Sequence, residues 1–153
     1  MRLLTVCVAV LVSVVPVRVD AWGGQKAEVT ASELAAALNE ARHVAVYGIL
    51  FESGKATIRP ESARVLASIG ELLQSDTTLK LEIQGYTDNV GSAAVNLKVS
   101  RDRAQAVKTY LVENLGIAPA RLTTSGFGVA KPVGDNKTEP GRALNRRIEL
   151  VRK

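Results

Sequence analysis

Between Leu79 and Leu115 the spacing of apolar residues changes from two to between three and four, and this change restricts the fold more than any other feature. Leu79, Leu81 and Ile83 alternate with Lys80, Glu82 and Gln84. That is the period of a strand with one apolar and one polar face, predicted over 79–86. From Ala93 to Leu115 the apolar residues return at helical spacing, with Ala104, Val107 and Leu111 on one face. Gly116 follows, the residue type favoured just past a helix end. A half-apolar strand leading into a long helix needs more strands beside it and more helices against its apolar face.

The flanking sequence supplies both. Val44–Phe51 (VAVYGILF) is a near-continuous apolar and β-branched run and predicts a buried strand. Gly54 opens a turn, and Pro60 stands where a helix begins. Val65, Leu66, Ile69, Leu72 and Leu73 then predict a helix to about Ser75. Arg121–Phe127 and Leu144–Val151 predict two more strands, and the Gly- and Pro-containing stretch 128–142 reads as a loop. Upstream, Thr30-Ala31-Ser32-Glu33 has capping-box spacing before an Ala/Leu-rich stretch, which predicts a short helix at about 31–42. The order β-α-β-α-β-β predicts an α/β sandwich, with two main helices on one face of a small mixed sheet.

Residues 1–21 are expected to stand apart from this fold. Met1-Arg2 precedes an apolar run from Leu3 to Val17, and Val19-Asp20-Ala21 supplies the pattern of a cleavage site after Ala21. That is the layout of a secretory signal peptide. Cys7 lies inside the run rather than after it, so no lipid anchor is expected. Its removal leaves no cysteine, no disulfide and no expected membrane span, so stability must come from packing. Residues 22–43 then form a leader and short helix, and 44–153 the main domain.

Composition removes several functions. The net charge of +5 suits an anionic partner of any kind. One Trp, three Tyr and two Phe are too few for a base-stacking platform, which argues against nucleic acid. His43 is the only histidine, so no His/Cys metal set is expected, nor any Ser/His/Asp or Cys/His nucleophile. Glu82 and Asp88 could be imagined as a glycosidase pair, but Glu82 belongs to the polar face of its strand. Gly126-Phe127-Gly128 reads as a turn signal, and Arg142, Arg146, Arg147, Arg152 and Lys153 form a late basic cluster.

The densest polar cluster, Gly85-Tyr86-Thr87-Asp88-Asn89-Val90-Gly91, joins the strand to the long helix. On that helix Asn96, Ser100 and Arg103 recur at i, i+4 and i+7, on one face. Asp88 and Arg103 together offer one negative and one positive group to a zwitterion, an ammonium to Asp88 and a carboxylate to the Arg103 fork. Without a ligand, the same residues read as a helix cap and a surface ion pair worth about 0–1 kcal/mol. Spacing leaves the two open.

From Tyr47 to Val151 the chain resembles the OmpA-like peptidoglycan-binding domain, the module also found in the Pal lipoprotein and in flagellar stator proteins. The matching stretches are Gly48–Phe51, Ile58–Pro60, Gly85–Gly91, Asn96–Ala104, Arg121-Leu122, Gly126–Gly128, Pro132, Asp135–Thr138 and Gly141–Arg147. The resemblance implies that Asp88 and Arg103 hold meso-diaminopimelate of the peptidoglycan stem peptide, with support from Thr87, Asn96, Leu97, Ser100 and Arg146. It implies a non-enzymatic, cofactor-free module that tethers an envelope component to the cell wall in the periplasm of a Gram-negative cell. An envelope-protein partner is expected on the helix at 31–42. The alternative is the same fold serving as a protein–protein adaptor. Two positions depart from the family pattern: Tyr86 stands where His is usual, and Gly54 where a polar residue is common.

Overall fold

The computed structural model describes residues 29–153; the expected signal segment and most of the leader lie outside them. The chain runs α1 (Ala31–Ala41), β1 (His43–Val46), a short 3-10 turn at Pro60–Ser62, α2 (Ala63–Ser75), β2 (Leu81–Tyr86), α3 (Ala93–Leu115), a second 3-10 turn at Pro119–Arg121, β3 (Leu122–Gly128), α4 (Glu139–Asn145) and β4 (Arg147–Arg152). The strands lie in the order β1-β4-β2-β3. β4 is antiparallel to both β1 and β2, and β3 is parallel to β2. The sheet is therefore mixed, as predicted.

Register places Val44 beside Leu150, Leu150 beside Ile83, and Leu81 beside Leu122. These residues form the apolar face and are buried with Val46 and Ile148. Against them pack Leu66, Ile69 and Leu73 of α2 and Ala104, Val107 and Leu111 of α3, all fully buried. α1 belongs to the same core. Its Thr30 capping box is formed in full, and Leu34 and Leu38 are buried against α2 and β1. The short helix α1 thus joins the two main helices, α2 and α3, on this face.

α3 sits unusually close to the strands beneath it. Gly85 and Gly126 are neighbours across β2 and β3. A Cβ at Gly85 would stand 2.1 Å from the Ser100 carbonyl oxygen, and one at Gly126 2.4 Å from the Arg101 backbone nitrogen. The two missing side chains form the bed on which the first turns of α3 rest. At the far end, the Arg121 guanidinium donates to the carbonyls of Leu73, Asp76 and Leu79, closing the end of α2 onto the start of β3.

Two segments differ from the sequence reading. The run 44–51 is not one strand, because the backbone leaves β1 after Val46 and turns at Gly48, where φ is +97°. The chain then forms a small hairpin, with a bridge between Phe51 and Ile58 and Gly54 (φ +67°) at its tip. A positive φ is easy for glycine and strained for most residues, which accounts for Gly54. The supposed loop 128–142 contains the start of α4. Thr138 caps it, its hydroxyl accepting from the Gly141 N–H at 3.1 Å, and Pro140 occupies its first turn. Polarity hid a helix of seven residues.

The second face of the sheet carries Glu82, Gln84, Tyr86, Arg147 and Glu149 in register. Tyr86 is 2% exposed there. Its ring stacks on Phe127 at 5.2 Å, and the Arg147 guanidinium lies 4.0 Å from its centroid. Burial pushes the Tyr86 phenol up to about 12, and its O–H donates to Gln84 Oε1 at 2.8 Å. Phe127 is not a turn residue. It is the extra residue of a bulge, because Gly85 pairs with Gly126 whereas Tyr86 pairs with Gly128.

Candidate functional site

The site forms where β2 ends, at the entry to α3, and four separate segments build it. The Gly128 end of the bulge holds the first segment. Its carbonyl accepts from the Thr87 N–H at 2.8 Å, and its N–H donates to Ser100 Oγ at 2.9 Å. The Ser100 hydroxyl in turn donates to the Leu97 carbonyl, and the residue is fully buried. Ser100 therefore fixes the height of α3 over the sheet and lies beneath the site. Half-buried Leu97 sits one turn above it, with its backbone against Gly128.

The loop 87–92 is stapled in place. Asp88 Oδ1 accepts from the Val90 N–H at 3.0 Å, and Asn96 Nδ2 donates to the Val90 carbonyl at 2.9 Å. Ser92 is the N-cap of α3, accepting from the Val95 N–H. Asp88 is thus relieved of the capping role that the sequence had left open for it. Its other oxygen, Oδ2, pairs with Arg146 Nη1 at 2.8 Å. Direct pairing of Asp88 with Arg103 is not what the structure shows.

Arg103 is held from the other side by the hairpin. Its Nε donates to the Lys55 carbonyl at 2.9 Å, and its guanidinium carbon lies 4.9 Å from the centroid of the Phe51 ring. Among the described residues, its two terminal nitrogens carry no hydrogen bond. Burial lowers the Arg103 pKa, the Asp88 charge opposes that shift, and Arg146 adds to it. With an ordinary value above 12, the group stays charged in any case. Thr87 adds a second unsatisfied group. Its Oγ1 is buried with no partner among the described residues. A buried hydroxyl without a partner costs about 1–3 kcal/mol.

Arg146 extends from the junction of α4 and β4. Its second nitrogen, Nη2, reaches Glu139 Oε1 at 2.6 Å. The Asp88 and Glu139 hydrogen bonds raise its pKa, Asp88 contributing most. The structure therefore brings Asp88, Thr87, Asn96, Arg103 and Arg146 to one place, with Ser100 below and Leu97 at the side. Sequence reasoning did not find the Lys55 carbonyl, Phe51 or Glu139. A carbonyl has no sequence signature, and Glu139 lay in the stretch read as a loop.

The late basic cluster divides. Arg147 is buried in the Tyr86 stack and pairs with Glu149, and Arg152 contacts Asn39 and Asp76. Glu82 is committed to Ser125 and Lys153, the Lys153 bond being the main cause of its lowered pKa. It is not available as half of a carboxylate pair with Asp88. Among the described residues no group of three His, Cys, Asp or Glu could hold a metal ion. No helix among them is long and apolar enough to cross a membrane.

The fold is an α/β sandwich with the Asp88 carboxylate and the Arg103 guanidinium at the same end of the sheet, each held by different partners. The chain belongs to the OmpA family, whose model matches residues 50–146. It is 39% identical over 101 residues to outer membrane porin F of Pseudomonas fluorescens, covering 66% of this chain and 31% of that protein. It is 37% identical over 103 residues to the peptidoglycan-binding protein ArfA of Mycobacterium tuberculosis, covering 67% and 31%. The chain thus spans about a third of the length of these two relatives. Among solved structures, a putative MotB-like protein from Desulfovibrio vulgaris superposes with a TM-score of 0.64 at 30% identity, over 80% of this chain and 87% of that one. The peptidoglycan-associated lipoprotein from Burkholderia pseudomallei gives 0.61 at 30% identity, over 76% and 98%.

Proposed function

We propose that this protein binds peptidoglycan non-covalently, gripping the free end of meso-diaminopimelate in the stem peptide. The observation that carries the reading is Arg103. Its guanidinium is oriented by the Lys55 carbonyl and the Phe51 ring, its terminal nitrogens carry no hydrogen bond among the described residues, and it lies within electrostatic reach of Asp88. A planar pair of donors next to a carboxylate complements a carbon bearing both carboxylate and ammonium. The ligand carboxylate meets Arg103, its ammonium meets Asp88, and Thr87 Oγ1 gains the partner it lacks. Asn96, Ser100 and Arg146 hold the loop, the helix and the acid in position, and Leu97 lends the rim an apolar contact.

Relatives named for peptidoglycan binding and association support this reading. It describes a binding module rather than an enzyme, set in the periplasm against the cell wall and exported by the expected signal peptide. The outward side of α1, with Ser32, Ala36 and Glu40 exposed, is where a tethered envelope protein would dock.

Co-sedimentation of the full chain with purified diaminopimelate-type sacculi tests the proposal. The wild type should pellet, whereas Asp88→Ala and Arg103→Ala should each lose about 2–5 kcal/mol of binding, because each leaves a ligand charge unpaired. At about 1.4 kcal/mol per tenfold, either change should leave most of the protein in solution. A wild type that stays in solution points to the adaptor reading. Folded variants that pellet equally well point to binding by bulk charge.

A further inference from the structure

Arg146 reaches two carboxylates at once: Nη1 donates to Asp88 Oδ2 at 2.8 Å, and Nη2 to Glu139 Oε1 at 2.6 Å. The other oxygen of Glu139 receives Arg142, at 3.0 Å from Nε and 2.9 Å from Nη2. Arg142 Nη1 donates in turn to the Asn136 carbonyl. Asp88, Arg146, Glu139 and Arg142 thus alternate in sign along the rim. A carboxylate has roughly four acceptor positions. Asp88 commits one to the Val90 N–H and one to Arg146. A guanidinium can take a carboxylate bidentately through both terminal nitrogens; at Asp88 only Nη1 is engaged, and Nη2 is turned to Glu139.

We infer that Glu139 sets the specificity of the site for a ligand bearing a primary ammonium, by keeping Arg146 to a single bond with Asp88 and so leaving acceptor positions on Asp88 open. The inference rests on the zwitterion reading given above. Glu139 does not touch the ligand; it is a positioning residue that acts through Arg146. Without its charge, Nη2 of Arg146 turns to Asp88, the pair closes into a fork, and an incoming ammonium finds fewer acceptor positions open on Asp88. The Arg103 half of the site is held by Lys55 and Phe51, on a different segment, and has no bond to Glu139. A ligand with the carboxylate but no distal amine is therefore indifferent to Glu139.

Isothermal titration of the full chain with two synthetic tripeptides tests this. One ends in meso-2,6-diaminopimelate with its distal amine and carboxylate free, and the other in 2-aminopimelate, which lacks that amine. The wild type should prefer the diamino peptide. Glu139→Gln should narrow the preference by about threefold to fivefold, the scale of an exposed ion pair, through weaker binding of the diamino peptide alone. A preference unchanged in Glu139→Gln overturns the inference, and so does an equal loss for both peptides, the mark of a general structural effect. In an Arg146→Gln background the same substitution should change the preference less than about twofold, since its route is gone. A full effect there also overturns it. If the wild type binds neither peptide and does not pellet with sacculi, the ligand reading itself fails. If it prefers the diamino peptide whatever stands at position 139, only the role of Glu139 fails.

Discussion

Asp88 and Arg103 show what a residue-level reading can and cannot reach. Their spacing around the start of α3 marked them in the sequence as candidates for a zwitterion site, without deciding between that and an ion pair, and their partners were not legible. Asp88 is held by Arg146 and by the Val90 N–H, and Arg103 by a carbonyl at the tip of a hairpin. Neither the carbonyl nor the exchange of partners between two charged pairs leaves a trace in residue spacing. Thr87 is a sharper case, because its hydroxyl is buried and unpartnered. Removing a group that makes no bond in the free protein should leave stability unchanged or raise it, by up to about 1 kcal/mol. Thr87→Val should therefore hold or raise the urea midpoint while weakening retention on sacculi. A variant that loses stability and keeps full binding would place the hydroxyl in the fold rather than in the site.

At the scale of elements, strong periodicity was readable and short capped pieces were not. α3 was predicted at its observed limits because Ala104, Val107 and Leu111 recur at helical spacing on one face and Gly116 ends it in the left-handed conformation. α4 escaped because its seven residues include Pro140 and Gly141, although Thr138 at its cap and Pro140 in its first turn are the signals that such a helix leaves. The apolar run 44–51 was misread as one strand because periodicity alone cannot show that Gly48 turns the chain. Nor did the pattern announce the bed of glycines. Gly85→Ala sets a methyl 2.1 Å from the Ser100 carbonyl, against backbone that can move only with α3. Forced overpacking of this kind should cost about 3 kcal/mol. Denaturant unfolding checks this, and a loss well under 1 kcal/mol would mean that α3 can lift without penalty. Because α3 carries Arg103 and Asn96, the same change should displace both.

Taken whole, the molecule extends beyond the stretch that marks its family. The family model begins at residue 50, yet β1 and α1 precede it and share its core. Leu34 and Leu38 are buried, and each fully buried Leu contributes about 1.5–3 kcal/mol. A chain starting at residue 44, the boundary read from sequence, should therefore lose about 3–6 kcal/mol. Against a typical total of about 5–15 kcal/mol, such a fragment would be marginal, with a melting transition far below that of the full chain. Equal melting temperatures would make α1 an appendage and leave its apolar face without a purpose.

The strand order has a consequence for how the chain is made. β4 is the last strand in sequence, but it lies inside the sheet, with β1 on one flank and β2 on the other. Neither antiparallel ladder can form until residues 147–152 have been synthesised, and β1 has no neighbour in the sheet before then. Pairings this distant close late and slowly, because the loop entropy comes before the contacts that offset it. A growing polypeptide with this topology stays open until its final strand emerges, the interval in which a chain can still be threaded through a narrow channel.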